Sequence, residues 1–128
     1  MIKMMTQYPK NSISRMKSLI DDGTIRTWQH HNMSNGNTRF DWTGGRNNWP
    51  NLDENVYFEA IVHTEDKDNK YILFVLHTRN GHNLNEAEYA QMHSELTGML
   101  FTHVYSNIGV CGVFKAKDEE RKADVIDK

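Results

Sequence analysis

The stretch VYFEAIVHTEDKDNKYILFVLHTRNGHN, residues 56–83, decides how this chain folds. Val56, Phe58, Ala60 and Val62 alternate with their neighbours, as do Ile72, Phe74 and Leu76, on either side of Glu65-Asp66-Lys67-Asp68-Asn69. Successive side chains in a strand point to opposite faces. A period of two therefore predicts a β-hairpin with one buried face. Tyr57, Ile61, Tyr71, Leu73 and Val75 fall on the other face. That face is too apolar for water, so either the chain's second helix or another chain is expected to cover it.

Downstream, Arg79-Asn80-Gly81-His82 turns the chain into a helix. Asn83 or Asn85 is the candidate N-cap, with Glu86 or Glu88 three residues on as its capping-box partner. Tyr89, Met92, Leu96, Met99, Leu100 and His103 form one stripe of this helix. Glu88, Gln91, Ser94, Glu95 and Thr102 form the opposite one, so the helix is expected to lie on the sheet. A last strand follows at residues 108–115, then a mixed-charge tail at 117–128.

Upstream, Asn11 or Ser12 is expected to cap a short helix running to about Asp21. Ile13, Met16, Leu19 and Ile20 make its apolar stripe, and Gly23 sits where a helix ends. Residues 24–33 and 38–43 then read as a hairpin around Ser34-Asn35-Gly36-Asn37, because Asn-Gly is a strong turn signal. If Ser34 faces Asn37, then Ile25, Thr27, Gln29, His31 and Met33 share the core face with Phe40 and Trp42. Arg26, Trp28, His30 and Asn32 then lie on the other face with Arg39, Asp41 and Thr43. Residues 1–10 read as a flexible arm, and residues 44–54 as a long loop of the kind that often carries function. The sum is an α+β domain over residues 11–116. It comprises an N-terminal helix, a four-stranded antiparallel meander of two hairpins, an amphipathic helix packed on the sheet and a final fifth strand.

A chain of 128 residues suits one domain. A net charge of −2 argues against bulk attraction to nucleic acid or anionic membrane. The single cysteine, Cys111, leaves no intramolecular disulfide and favours a reducing compartment. No apolar run approaches the roughly 20 residues of a membrane span, and the opening residues lack the apolar core of a signal peptide. A soluble cytoplasmic protein is expected. Asn is the commonest residue, a composition that leans towards an AT-rich genome such as that of many phages.

Chemical motifs are few. His63-Thr64 and His77-Thr78 lack the spacing of paired-histidine phosphoesterases. Pairing Thr64 with Lys70 sets His63 opposite Tyr71 and His77 opposite Tyr57, leaving the histidines roughly 20 Å apart at the rise of a strand. His30 and Asp41, with Arg26 and Arg39 on the same face, would suit a small ribonuclease if the register holds, and otherwise make an ordinary cross-strand ion pair. No histidine pair has the helical spacing of a zinc site, Cys111 reads as a buried structural thiol, and no cofactor motif is present.

Topology suggests the best grouping. Residues 44–54 and 79–83 meet at one end of the meander, where the second helix also begins. Arg26, Arg46, Trp49, Arg79 and His82, with Trp28 and the positive helix terminus, would make a socket for a phosphate-bearing ligand such as a nucleotide. The plainer alternative has Trp49 packing under its loop and the arginines solvated. Three functions follow in order. The first is a non-enzymatic protein that binds an anionic ligand at this loop end. The second is a protein-interaction module, such as a phage-encoded inhibitor or accessory subunit, dimeric through its apolar sheet face. The third is a phosphodiesterase with His30 or His82 as acid and base.

Overall fold

In the computed structural model, which describes residues 1–45, 47–104, 110–115 and 123–127, the alternating stretch forms β4 (Val56–His63) and β5 (Tyr71–Thr78). Their register runs from Val56 opposite Thr78 to His63 opposite Tyr71, which places His77 against Tyr57 as the alternation requires. Around this hairpin lie β1 (Ile2–Thr6), α1 (Pro9–Asp21), β2 (Trp28–Asn32), β3 (Thr38–Trp42), α2 (Pro50–Asn55), α3 (Glu86–His103), β6 (Val110–Lys115) and β7 (Val125–Ile126). The strand order is β2-β3-β4-β5-β1-β6, antiparallel throughout, and β7 runs parallel beside β5. The protein is an α+β fold whose helices α1 and α3 share one core with one face of the sheet. Ile13, Met16 and Leu19 of α1 and Tyr89, Met92, Leu96 and Leu100 of α3 belong to the same buried cluster as Phe40, Phe58, Phe74 and Leu76.

Residues 2–6, expected in a flexible arm, form a central strand instead. Ile2 lies opposite Phe74 of β5 and Lys115 of β6, and Met4 opposite Ile72 and Val113. Both side chains are buried, Met4 completely. The turn into α1 is closed by Thr6, whose Oγ1 accepts from the Tyr8 amide at 3.1 Å, and Pro9 opens the helix. The cap position is therefore Tyr8 rather than Asn11 or Ser12, because proline suits the first helical turn, where no amide partner is needed. Gly23, at φ +83°, follows the helix end as expected.

The first hairpin differs from expectation by one residue. The Met33 amide donates to the Asn37 carbonyl and the Gly36 amide to the Met33 carbonyl, so three residues form the loop instead of two, with Gly36 at φ +87°. Every side chain on β2 consequently changes face. Trp28 joins Phe40 and Trp42 in the core, while Gln29 and His31 turn outward opposite Asp41 and Arg39. The His30–Asp41 pair does not form. His30 lies opposite Phe40 and its Nε2 is 2.7 Å from Asp21 of α1.

Residues 50–54 of the expected long loop fall in α2, which is opened by Pro50 and runs to Asn55. Helix α3 begins with the capping box Asn85/Glu88. Gly98 lies inside this helix, and a Cβ there would meet nothing within 4 Å. Gly98→Ala is expected to raise stability by about 0.5–1 kcal/mol, read as a higher urea midpoint at unchanged slope. Among the described residues no helix is long and apolar enough to cross a membrane.

Candidate functional site

The loop-end residues come together only in part. The Arg79 amide donates to the Asn55 carbonyl at 2.9 Å, the Arg79 Nε to the Glu54 carbonyl at 2.7 Å, and the Asn80 side chain to that of Asn55 at 3.0 Å. The end of α2 and the 79–83 turn are thus neighbours. Trp49, by contrast, is half-buried and packs against the core cluster, beside the position a Gly45 Cβ would occupy. Arg26 bonds the Gly23 carbonyl and lines a cavity of about 330 Å³ against Glu95, Met99 and His103 of α3. His82 belongs to the 79–83 turn, its amide donating to the Arg79 carbonyl, but its Nε2 is engaged at 2.9 Å by Glu88 in the first turn of α3. Trp28 is in the core. Arg46 lies outside the described residues.

The start of α3 is also not vacant. Asn85 Oδ1 accepts from the Glu88 amide at 2.8 Å, and Glu88 Oε1 accepts from the Asn85 amide at 3.1 Å. Glu86 and Glu88 supply negative charge to that first turn. The donors and the field that would attract an external anion are therefore already answered by the chain's own carboxylates.

A second grouping sits on the sheet face turned away from α1 and α3. Tyr57 and Glu59 project there from β4, as do Val75 and His77 from β5, in the alternation that sends Phe58, Phe74 and Leu76 into the core. All four are less than a tenth exposed. The contacts that close over them are polar. Asn35 and Asn37 lean across from the first hairpin and donate their side-chain amides to Glu59 Oε2 at 2.9 and 2.7 Å. From the other side the segment Asp124–Asp127 runs along β5.

At the centre is His77. Its Nε2 is 2.8 Å from Glu59 Oε1 and its Nδ1 is 2.9 Å from Asp127 Oδ1. Both nitrogens face carboxylate oxygens, so each ring nitrogen has a partner within hydrogen-bond distance. The Tyr57 ring stacks on His77 at 4.6 Å, and its hydroxyl donates to Asp127 Oδ2. Burial, then the hydrogen bond to Asp127, push the Tyr57 phenol above its ordinary value and keep it a donor. The guanidinium carbons of Arg39 and Arg79 stand 5.1 and 5.4 Å from the centre of the same ring. The Asp127 carboxylate is therefore gripped by a phenol and an imidazole, with Arg79 close enough to lower its proton affinity.

Two carboxyls respond to this setting. Burial pushes Glu59 up, but hydrogen bonds from Asn37, Asn35 and His77 outweigh it and hold the group below its ordinary value. Burial likewise raises Asp127, and hydrogen bonds from Tyr57 and His77, with the charges of His77 and Arg79, bring it down. A carboxyl lowered in the folded state stabilises that state above the unfolded value, about 4. The contribution is lost as pH falls through the lower folded value. Thermal midpoints are thus expected to be level from pH 7 to about 5 and to drop below about pH 4. The Glu59→Gln and Asp127→Asn variants should show a shallower drop than the parent chain.

Tyr57 was legible in the sequence as an outward residue, and Glu59 and His77 share its parity on the two strands. Polar residues interrupting an otherwise apolar outward face were the available signal. Asp127 left none, because its role depends on where a distant segment docks. No protein-family model, curated protein or solved structure matches this chain. The geometry alone carries the functional reading.

Proposed function

We propose that this is a small, non-enzymatic binding protein that receives an anionic group on the open face of its sheet, at Tyr57, His77 and Arg79. The observation that carries this reading is the Asp127 carboxylate, which is held by the Tyr57 hydroxyl and His77 Nδ1 beside a guanidinium. A carboxylate from the chain's own segment stands there in the place of a ligand's carboxylate or phosphate oxygens. The reading keeps Arg79 from the loop-end socket and replaces the rest. A histidine whose two nitrogens are both engaged is poorly placed to shuttle protons, which favours binding over acid–base catalysis. The lone Cys111 is in keeping with a cytoplasmic setting.

The test is a titration of the full chain and of Asp127→Ala with inorganic phosphate and with a nucleoside monophosphate, following the His77 and Tyr57 ring signals by NMR. Removing the internal competitor is expected to tighten binding by about tenfold or more. Adding Arg79→Ala to Asp127→Ala should weaken it again. Ring signals that stay still in Asp127→Ala at millimolar anion would end the proposal.

A further inference from the structure

The same seat lies at the end of an unfinished sheet edge. Strand β1 pairs with β5 only from Tyr71 to Phe74. Beyond Phe74 the edge of β5 would expose main-chain donors and acceptors, a ready template for another strand. Residues 124–127 answer it. The Asp124 amide donates to the Leu76 carbonyl at 2.9 Å, and the Leu76 amide donates to Asp124 Oδ2 at 2.8 Å. The Asp127 amide donates to the Thr78 carbonyl at 2.7 Å. Val125 and Ile126 pair in parallel with His77 and Thr78, yet they remain 38% and 72% exposed. Main-chain bonds and two carboxylates hold this segment; little apolar burial does.

We infer that the anionic partner is an extended polypeptide with two acidic residues three positions apart, which adds a strand to β5 in place of residues 124–127. This inference rests on the anion seat proposed above. The internal segment supplies the register. One acidic residue caps the Leu76 amide as Asp124 does, and the other bonds the Tyr57 hydroxyl and His77 Nδ1 at the rim of their stacked rings as Asp127 does. A cavity of about 250 Å³ beside Ile126, lined by Thr78, His82, Asn83, Leu84 and Ala123, has room for a larger apolar side chain just before the second acid. Recognition of this kind draws affinity from main-chain pairing and selectivity from alternate side chains. A partner that fills the cavity gains burial that Ile126 forgoes.

The experiment uses the full chain carrying Asp124→Ala and Asp127→Ala. Its probes are inorganic phosphate, a blocked pentapeptide with the sequence of residues 123–127, and the same peptide with asparagine for both aspartates. The His77 ring signals report the seat, and hydrogen exchange of the Leu76 amide reports the first acidic residue of the added strand in the place of Asp124. The acidic peptide is expected to move His77 and slow Leu76 exchange by about tenfold or more. Phosphate should move His77 alone, and the asparagine peptide should do neither. If phosphate moves His77 but the peptide leaves Leu76 unprotected, strand addition is wrong and the anion seat stands. If neither probe moves His77, both ideas fall. Should the double variant not fold, methyl-labelled Val125 and Ile126 in the parent chain give the answer. Excess acidic peptide must shift them to detached positions, and unmoved methyl signals overturn the inference. Contacts between labelled and unlabelled copies through residues 124–127 would overturn it in favour of exchange between two chains.

Discussion

Met4→Lys is expected to abolish folding. Met4 is completely buried on β1, between Ile72 of β5 and Val113 of β6, and belongs to the one core shared with both long helices. Losing a buried methionine side chain costs about 2–5 kcal/mol even when alanine replaces it. A lysine there must also bury an ammonium group or displace the strand. Together these approach or exceed the whole stability of a domain this size, about 5–15 kcal/mol. The measurement is amide dispersion in an NMR spectrum at neutral pH. Met4→Leu is the control and should cost about 1.5 kcal/mol or less. A residue in a mobile arm would tolerate either change within about 0.5 kcal/mol. A well-dispersed Met4→Lys spectrum would therefore restore the arm and remove β1 from the centre of the sheet.

The second large effect concerns the buried His77–Glu59 hydrogen bond under the open face. His77 and Glu59 have side chains only 7% and 8% exposed and meet at 2.8 Å. Removing one member of a buried pair leaves the other without compensation and costs about 3–5 kcal/mol. Glu59→Leu additionally strands the side-chain amides of Asn35 and Asn37, while His77→Leu strands both carboxylates it serves. Each single variant should therefore lose about 3 kcal/mol or more by urea denaturation at pH 7. The double variant Glu59→Leu with His77→Leu should lose clearly less than the two losses added, since it buries apolar groups in place of a broken pair. Strict additivity would show that the two side chains do not act as one unit.

Local patterns in the sequence set much of this fold. The alternation in residues 56–63 and 71–78 specified both strands, their faces and the pairing of Tyr57 with His77, because parity in a hairpin is a local property. The α3 cap and stripe were readable for the same reason. The first hairpin shows the limit of such reading. Asn35-Gly36 correctly marks the turn, but both a two-residue and a three-residue loop use that chemistry, and the choice reverses which of Trp28 and Gln29 is buried. The burial of Trp28 beside Phe58 comes from the second solution.

Composition, the two hairpins and the amphipathic helix therefore followed from residues close together in the chain. Two decisions did not. Ile2-Lys3-Met4-Met5-Thr6 is five residues long, and its strand character is supplied by Phe74 and Ile72 on one side and β6 on the other, partners about seventy residues or more away. The seat at His77 joins the parity of β4 and β5 to a carboxylate fifty residues further on, brought there by an open sheet edge. Parity is written in adjacent residues. Which segment fills an edge depends on competition among all segments that could pair there, and only the folded chain resolves that competition.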